Sequence, residues 1–175
     1  MLRLLGKLIR MVVVLVLVVA AAGVGLYVLG SSLPQSHVAT LSSALPAAPD
    51  VVWKTITDVS AFPTWRLDVK AVEKVSAGPT GVSWVEVGAN GDRIPLETVE
   101  AAPPKRLVAR IGEGLPFGGT WTYELSPEGS GTRLTITERG EIYNPFYRFF
   151  ARYVFGYTAT IEGYFQALTT KLGSP

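Results

Sequence analysis

The sequence predicts an α+β domain, an antiparallel β-meander crossed by a long carboxy-terminal helix, behind one transmembrane helix. Three observations predict it. Residues 11–29 run without a charge and are rich in Val, Leu and Ala. Turn signals then cut residues 67–142 into six short segments of strand character. From Asn144-Pro145 the apolar spacing changes to three or four residues and holds to Leu172.

The uncharged run of 19 residues rises about 1.5 Å per residue in a helix and so crosses a hydrocarbon core of roughly 30 Å. A cleaved signal peptide ending near Ala20 and Ala22 is the competing reading. Val24, Leu26, Tyr27, Val28 and Leu29 prolong the run past those alanines, which a signal peptide does not require. Arg3, Lys7 and Arg10 precede the span, and no basic residue follows it until Lys54. The positive-inside rule therefore places the amino terminus in the cytoplasm and the domain on the outer, periplasmic side of the cytoplasmic membrane. Residues 1–30 form the basic start and span, 31–35 a short linker, and 36–175 the folded domain. An extended chain covers at most about 3.5 Å per residue, so this linker keeps the domain close to the bilayer. The membrane is thus one expected partner.

Composition narrows the function. A chain of 175 residues, 48% hydrophobic, has enough for one core. From position 31 onward there are 13 basic and 14 acidic residues, and the basic ones are scattered. Such a near-neutral domain lacks the cationic surface that binds a phosphate backbone, so nucleic acid is not an expected partner. The absence of cysteine excludes disulfides, thiolate metal sites, a cysteine nucleophile and lipid attachment through cysteine. With a single histidine as well, the usual zinc sites are excluded. No metal and no cofactor is implied.

In chain order, Val38, Thr40 and Leu41 belong to a strand that ends at Leu45-Pro46. Pro49-Asp50 opens a helix with Asp50 as candidate cap, and Val51, Val52, Thr55, Ile56 and Val59 keep helical spacing. Phe62-Pro63 breaks it and starts a shorter turn through Trp65. Six strands follow, at 67–76, 81–89, 92–101, 105–112, 117–126 and 131–142, with Asn90-Gly91 suited to a tight hairpin. Trp121, Tyr123 and Leu125 share one strand face, and Leu134 and Ile136 another, both predicted inward. The carboxy-terminal helix carries Phe146, Phe150, Tyr153, Tyr157, Ile161, Tyr164, Leu168 and Leu172 on one stripe. A second row, Gly156, Ala159, Thr160, Gly163 and Ala167, is small enough to let the helix backbone approach the sheet or to leave space beneath it.

Several local motifs then carry a resemblance. Phe62-Pro63-Thr64-Trp65 resembles the aromatic-Pro-x-Trp element of START-like and polyketide cyclase/dehydrase-like domains. Pro103-Pro104-Lys105-Arg106-Leu107, Gly119-Thr120-Trp121-Thr122-Tyr123-Glu124-Leu125 and Gly131-Thr132-Arg133-Leu134-Thr135-Ile136-Thr137-Glu138 look like later signatures of the same superfamily, SRPBCC. The resemblance covers about 36 to 172 and leaves out the membrane span. Arg66 departs from it, since many relatives carry Asn after the Trp. The resemblance implies a helix-grip fold, a curved antiparallel sheet wrapped around the carboxy-terminal helix and enclosing an apolar cavity. It also implies a hydrophobic small molecule or lipid as ligand. The superfamily includes lipid-transfer domains, hormone-binding and allergen proteins, and aromatase/cyclases, so fold alone does not select among them.

Three readings of function follow: a binding module for a hydrophobic ligand, a cyclase/dehydrase-type enzyme, and an interaction domain whose cavity has collapsed. Trp65, Trp121, Tyr123, Phe150, Tyr153, Tyr157 and Ile161 are the candidate cavity wall, with ordinary core packing as the alternative. Trp65 either packs at the cavity mouth or plugs the core beneath the short helices. Glu86, Glu97 and Arg110 lie mid-strand, either solvent-facing or, if inward, paired in the cavity. An inward Glu86 or Glu97 would have its pKa raised by desolvation and could serve as a general acid or base. His37, ahead of the first strand, reads as a surface residue. Arg148 and Arg152, set among aromatics, suit either an interfacial patch that touches lipid headgroups or the solvent face of the helix.

Overall fold

The computed structural model describes residues 2–173, which fall into two compact units. One reaches to Gln35 and takes in Ile142–Gly156; the other is Ser36–Glu141 continued from Tyr157.

The first unit holds α1 (Leu2–Ser32), α3 (Pro145–Phe150) and a π-helical turn, Ala151–Phe155. Within α1, Leu4–Ser32 is long and apolar enough to cross a membrane, and most of its side chains are exposed. Asn144 caps α3, its side chain accepting from the Phe146 amide at 2.9 Å, and Pro145 takes the first turn, where a missing N–H costs nothing.

In the second unit the strands are β1 (Ser36–Leu45), β2 (Val69–Ala77), β3 (Val82–Gly88), β4 (Arg93–Ala102), β5 (Arg106–Ile111), β6 (Phe117–Glu128) and β7 (Gly131–Ile142, whose last residue falls in the first unit). They form one curved antiparallel sheet in the order β1-β7-β6-β5-β4-β3-β2, so β1 returns to pair with the last strand. α2 (Pro49–Thr57) and a 3-10 turn (Val59–Thr64) connect β1 to β2, and α4 (Ala159–Gly173) closes the unit. The inner face gives Ala39, Trp84, Leu107, Ala109, Tyr123, Leu125, Leu134 and Ile136 to one core, which Val52, Ile56, Phe62 and Trp65 join from the connection. Ile161, Tyr164, Phe165 and Leu168 of α4 complete it. Their spacing of three or four is the apolar stripe that the sequence shows.

Four expectations are corrected. The single helix from Asn144-Pro145 to Leu172 is interrupted: Gly156 has φ +80°, ψ 153°, outside the helical region, and α4 starts only at Ala159. Most of the small row does not approach the sheet: Ala159, Thr160 and Gly163 are exposed and nothing lies within 4 Å of a Cβ built on Gly163, while Ala167 packs against the core. Asp50 is not the cap; Ala48 holds that position, with no side-chain bond, and Asp50 lies in the first turn, where its charge suits the helix dipole. At Asn90-Gly91 the connection is longer than a two-residue hairpin, with the Gly88 amide bonded to the Asp92 carbonyl at 2.8 Å.

Candidate functional site

The strand stride places polar groups on the apolar inner face of the sheet. On β3, Trp84 and Glu86 are two residues apart and both buried. On β7, Leu134, Ile136 and Glu138 continue one stride, and on β1 His37, Ala39 and Leu41 pair with Gly140, Glu138 and Ile136. The 3-10 turn delivers Trp65 and Arg66 to the same interior.

At one end of this interior Arg66 and Glu86 form an ion pair, Nη1 to Oε1 at 2.9 Å, with side chains 13% and 10% exposed. The Trp84 indole donates to the same Oε1 at 3.1 Å, and Asp68, on the solvent side, accepts from Arg66 Nη2 at 2.7 Å. The guanidinium also lies 5.1 Å from the Phe62 ring centre and 5.4 Å from that of Tyr164. Burial disfavours the Arg66 charge, but Glu86 and Asp68 outweigh it and hold its pKa above the ordinary value. Removing one partner of such a pair leaves an uncompensated buried charge, which costs on the order of 3–5 kcal/mol.

Next along the row, Tyr164 and Tyr123 share a hydrogen bond, their rings 5.6 Å apart. Burial raises both pKa values, so the hydroxyls stay protonated. Trp65 meets Tyr164 edge-on at 5.5 Å, and its buried Nε1 finds no acceptor. Trp121 lies 6.1 Å from Tyr164 and donates a hydrogen bond to Glu138.

Glu138 ends the row. Burial, partly offset by the Trp121 bond, raises its pKa to about 7. His37 Nε2 is 3.7 Å from its Oε1, and the imidazole stacks on Tyr157 at 4.2 Å. Burial lowers the His37 pKa. Gly140 makes room for the ring, since a Cβ there would lie 2.4 Å from His37 Cε1. A carboxyl that titrates near neutrality can give or take a proton, whereas the Arg66–Glu86 ion pair orients its neighbours.

Of the predicted wall, Trp65, Trp121, Tyr123, Tyr157 and Ile161 lie in the sheet unit, with Trp65, Tyr123 and Ile161 buried. Trp65 sits within the core. Phe150 and Tyr153 belong to the first unit, and Tyr153 is exposed, because the break at Gly156 separates their segment from α4. Glu86 is inward and paired. Glu97 and Arg110 are not: they face each other from β4 and β5 on the outer face, both exposed, with Arg110 Nε 2.9 Å from Glu97 Oε1. His37 lies within β1 with its side chain 9% exposed, which corrects its reading as a surface residue. Sequence reasoning passed over Arg66, Glu138, Tyr164 and Trp84 as site residues. The signal for Glu138 was present in the stride from Leu134 and Ile136. Among the described residues no group of His, Asp and Glu could hold a metal ion.

Residues 36–172 match a family model described as polyketide cyclase / dehydrase and lipid transport. No curated protein matches. Among solved structures, a START superfamily protein from Mycobacterium smegmatis is similar with a TM-score of 0.64 and 16% identity, over 78% of this chain and 97% of that one. A protein from Rhizobium loti gives 0.58 and 26%, over 78% and 97%. The di-domain ARO/CYC StfQ from the steffimycin biosynthetic pathway gives 0.64 and 13%, over 79% of this chain and 52% of that one.

Proposed function

The chain belongs to the polyketide cyclase / dehydrase and lipid transport family, and from that premise we propose that it is a membrane-anchored binding module. It takes up a hydrophobic small molecule or lipid between the inner face of the sheet and α4. The observation that carries this reading is the Trp65 indole N–H, buried in an aromatic surround without an acceptor. An unmet buried donor costs about 1–3 kcal/mol, which an oxygen on a bound ligand would recover. Trp121, Tyr123 and Tyr164 supply apolar contact with little rotamer entropy to lose. α1 is the anchor, with its basic end in the cytoplasm and the domain held near the outer face of the bilayer.

Native mass spectrometry of the full chain, extensively exchanged into detergent, tests the reading. One hydrophobic molecule retained per chain, and at least severalfold less retained by Trp65→Phe, is the expected result. Chains that are reproducibly empty and take nothing from a mixed lipid and isoprenoid panel would overturn it.

One observation favours a second reading, a cyclase/dehydrase-type enzyme: Glu138, with a pKa of about 7 and His37 beside it, is equipped for proton transfer. That reading moves the candidate acid/base from Glu86 or Glu97 to Glu138.

A further inference from the structure

The segment between β7 and α4 is more apolar than a connection exposed to water should be. Tyr147 is 56% exposed, Tyr153 61%, Val154 58% and Phe155 69%. These residues sit on α3 and the π-helical turn, and Gly156, at φ +80°, ends the run. Residues 142–158 contain no Asp or Glu, and the exposed Arg152 lies among the aromatics.

Three contacts fix the segment to one end of α1. The Phe146 ring is 5.7 Å from Tyr27. Pro145 rests on Gly30 so closely that a Cβ there would lie 1.9 Å from the Pro145 carbonyl oxygen. Arg148, itself buried, donates from Nη1 to the Leu33 carbonyl at 2.7 Å. Tyr27 and Gly30 are where the strongly apolar run of α1 gives way to Ser31 and Ser32, so a helix that spans the bilayer brings them to the boundary between hydrocarbon and headgroups. Tyrosines and other amphipathic rings favour that depth, and an acid-free face with an exposed arginine complements lipid phosphates.

We propose that residues 145–155 form a second membrane contact, an aromatic foot lying in the headgroup region beside the end of α1, with Tyr147, Val154 and Phe155 against lipid and Arg152 among the phosphates. The proposal rests on the reading of α1 as a retained membrane anchor. It gives the domain a two-point hold on the bilayer, α1 crossing it and the foot lying on it.

The chain contains no cysteine, so single cysteines can be spin-labelled in the full chain, reconstituted into phosphatidylcholine vesicles containing phosphatidylglycerol. Val154→Cys and Phe155→Cys serve as probes, Glu113→Cys as the aqueous reference and Val18→Cys as the mid-span reference. The ratio of collision with oxygen to collision with a water-soluble nickel chelate is expected to be severalfold higher at Val154→Cys and Phe155→Cys than at Glu113→Cys. A ratio equal to that of Glu113→Cys, with Val18→Cys buried in lipid, would overturn the foot and leave the anchor standing. A water-like Val18→Cys would overturn the anchor itself. Spin–spin broadening at Phe155→Cys that vanishes on dilution with unlabelled chain would also overturn the foot, by showing that a second copy covers this face.

Discussion

Glu138 holds its proton in the folded chain up to about pH 7, whereas its ordinary value is 4.5. Between these values the folded state binds more protons than the unfolded one, so this residue lowers stability as pH rises from about 4.5 through 7 and keeps it lowered above. The shift sets a ceiling of about 3 kcal/mol. His37 works in the opposite sense: its pKa is lowered from 6.5, so its penalty is present in acid and disappears as pH rises past that value. Glu138→Gln keeps the shape and the Trp121 contact but cannot ionise. It is expected to be more stable than the parent at pH 8, by up to about 3 kcal/mol, and equally stable at pH 4; urea unfolding at the two pH values checks this. Legibility at this scale follows the stride. The inward positions of Trp121 and Tyr123 can be read from alternation, and the same alternation reaches Glu138 and His37. Arg66 cannot be found that way, because it follows a 3-10 turn in a stretch with no period, and what buries its charge, Glu86, comes from another strand.

The six predicted strands match the observed ones to within two residues at each end, because alternation and turn residues are local signals. The break before α4 was hidden for the converse reason. Apolar residues at three and four continue across Gly156, and periodicity counts side chains without sensing that one glycine has a positive φ. What holds the detached piece is a close approach on α1: at Gly30 even one methyl group would collide with the Pro145 backbone. Gly30→Ala must therefore push α3 off α1 while leaving the sheet alone. Amide hydrogen exchange over residues 145–155 is expected to quicken at least tenfold, an opening worth about 1.4 kcal/mol, with β7 protection up to Glu138 unchanged. Equal protection in both proteins would mean that the segment is held elsewhere.

For the whole molecule, charge is distributed unevenly along the chain. Lys7 and Arg10, with Arg3, stand before the span, while the sequence from position 31 is nearly neutral. A segment with basic residues on one side only inserts in a defined sense, since each cation resists translocation. The proposed anchor rests on the apolar length beyond Ala22, which a cleaved leader does not require. The expected outcome is a chain of full mass in the membrane fraction. A membrane-impermeant maleimide should label Glu113→Cys in intact cells stripped of their outer layers, and should label Leu5→Cys only after permeabilisation. Replacing Lys7 and Arg10 by Glu removes the charge asymmetry and should place a measurable share of molecules the other way, with Glu113→Cys now protected. If Glu113→Cys is protected in the unaltered chain, the domain lies on the cytoplasmic face and the proposed orientation fails. If the chain in the membrane lacks its first twenty or so residues, the segment is a leader and the domain reaches the bilayer by other means.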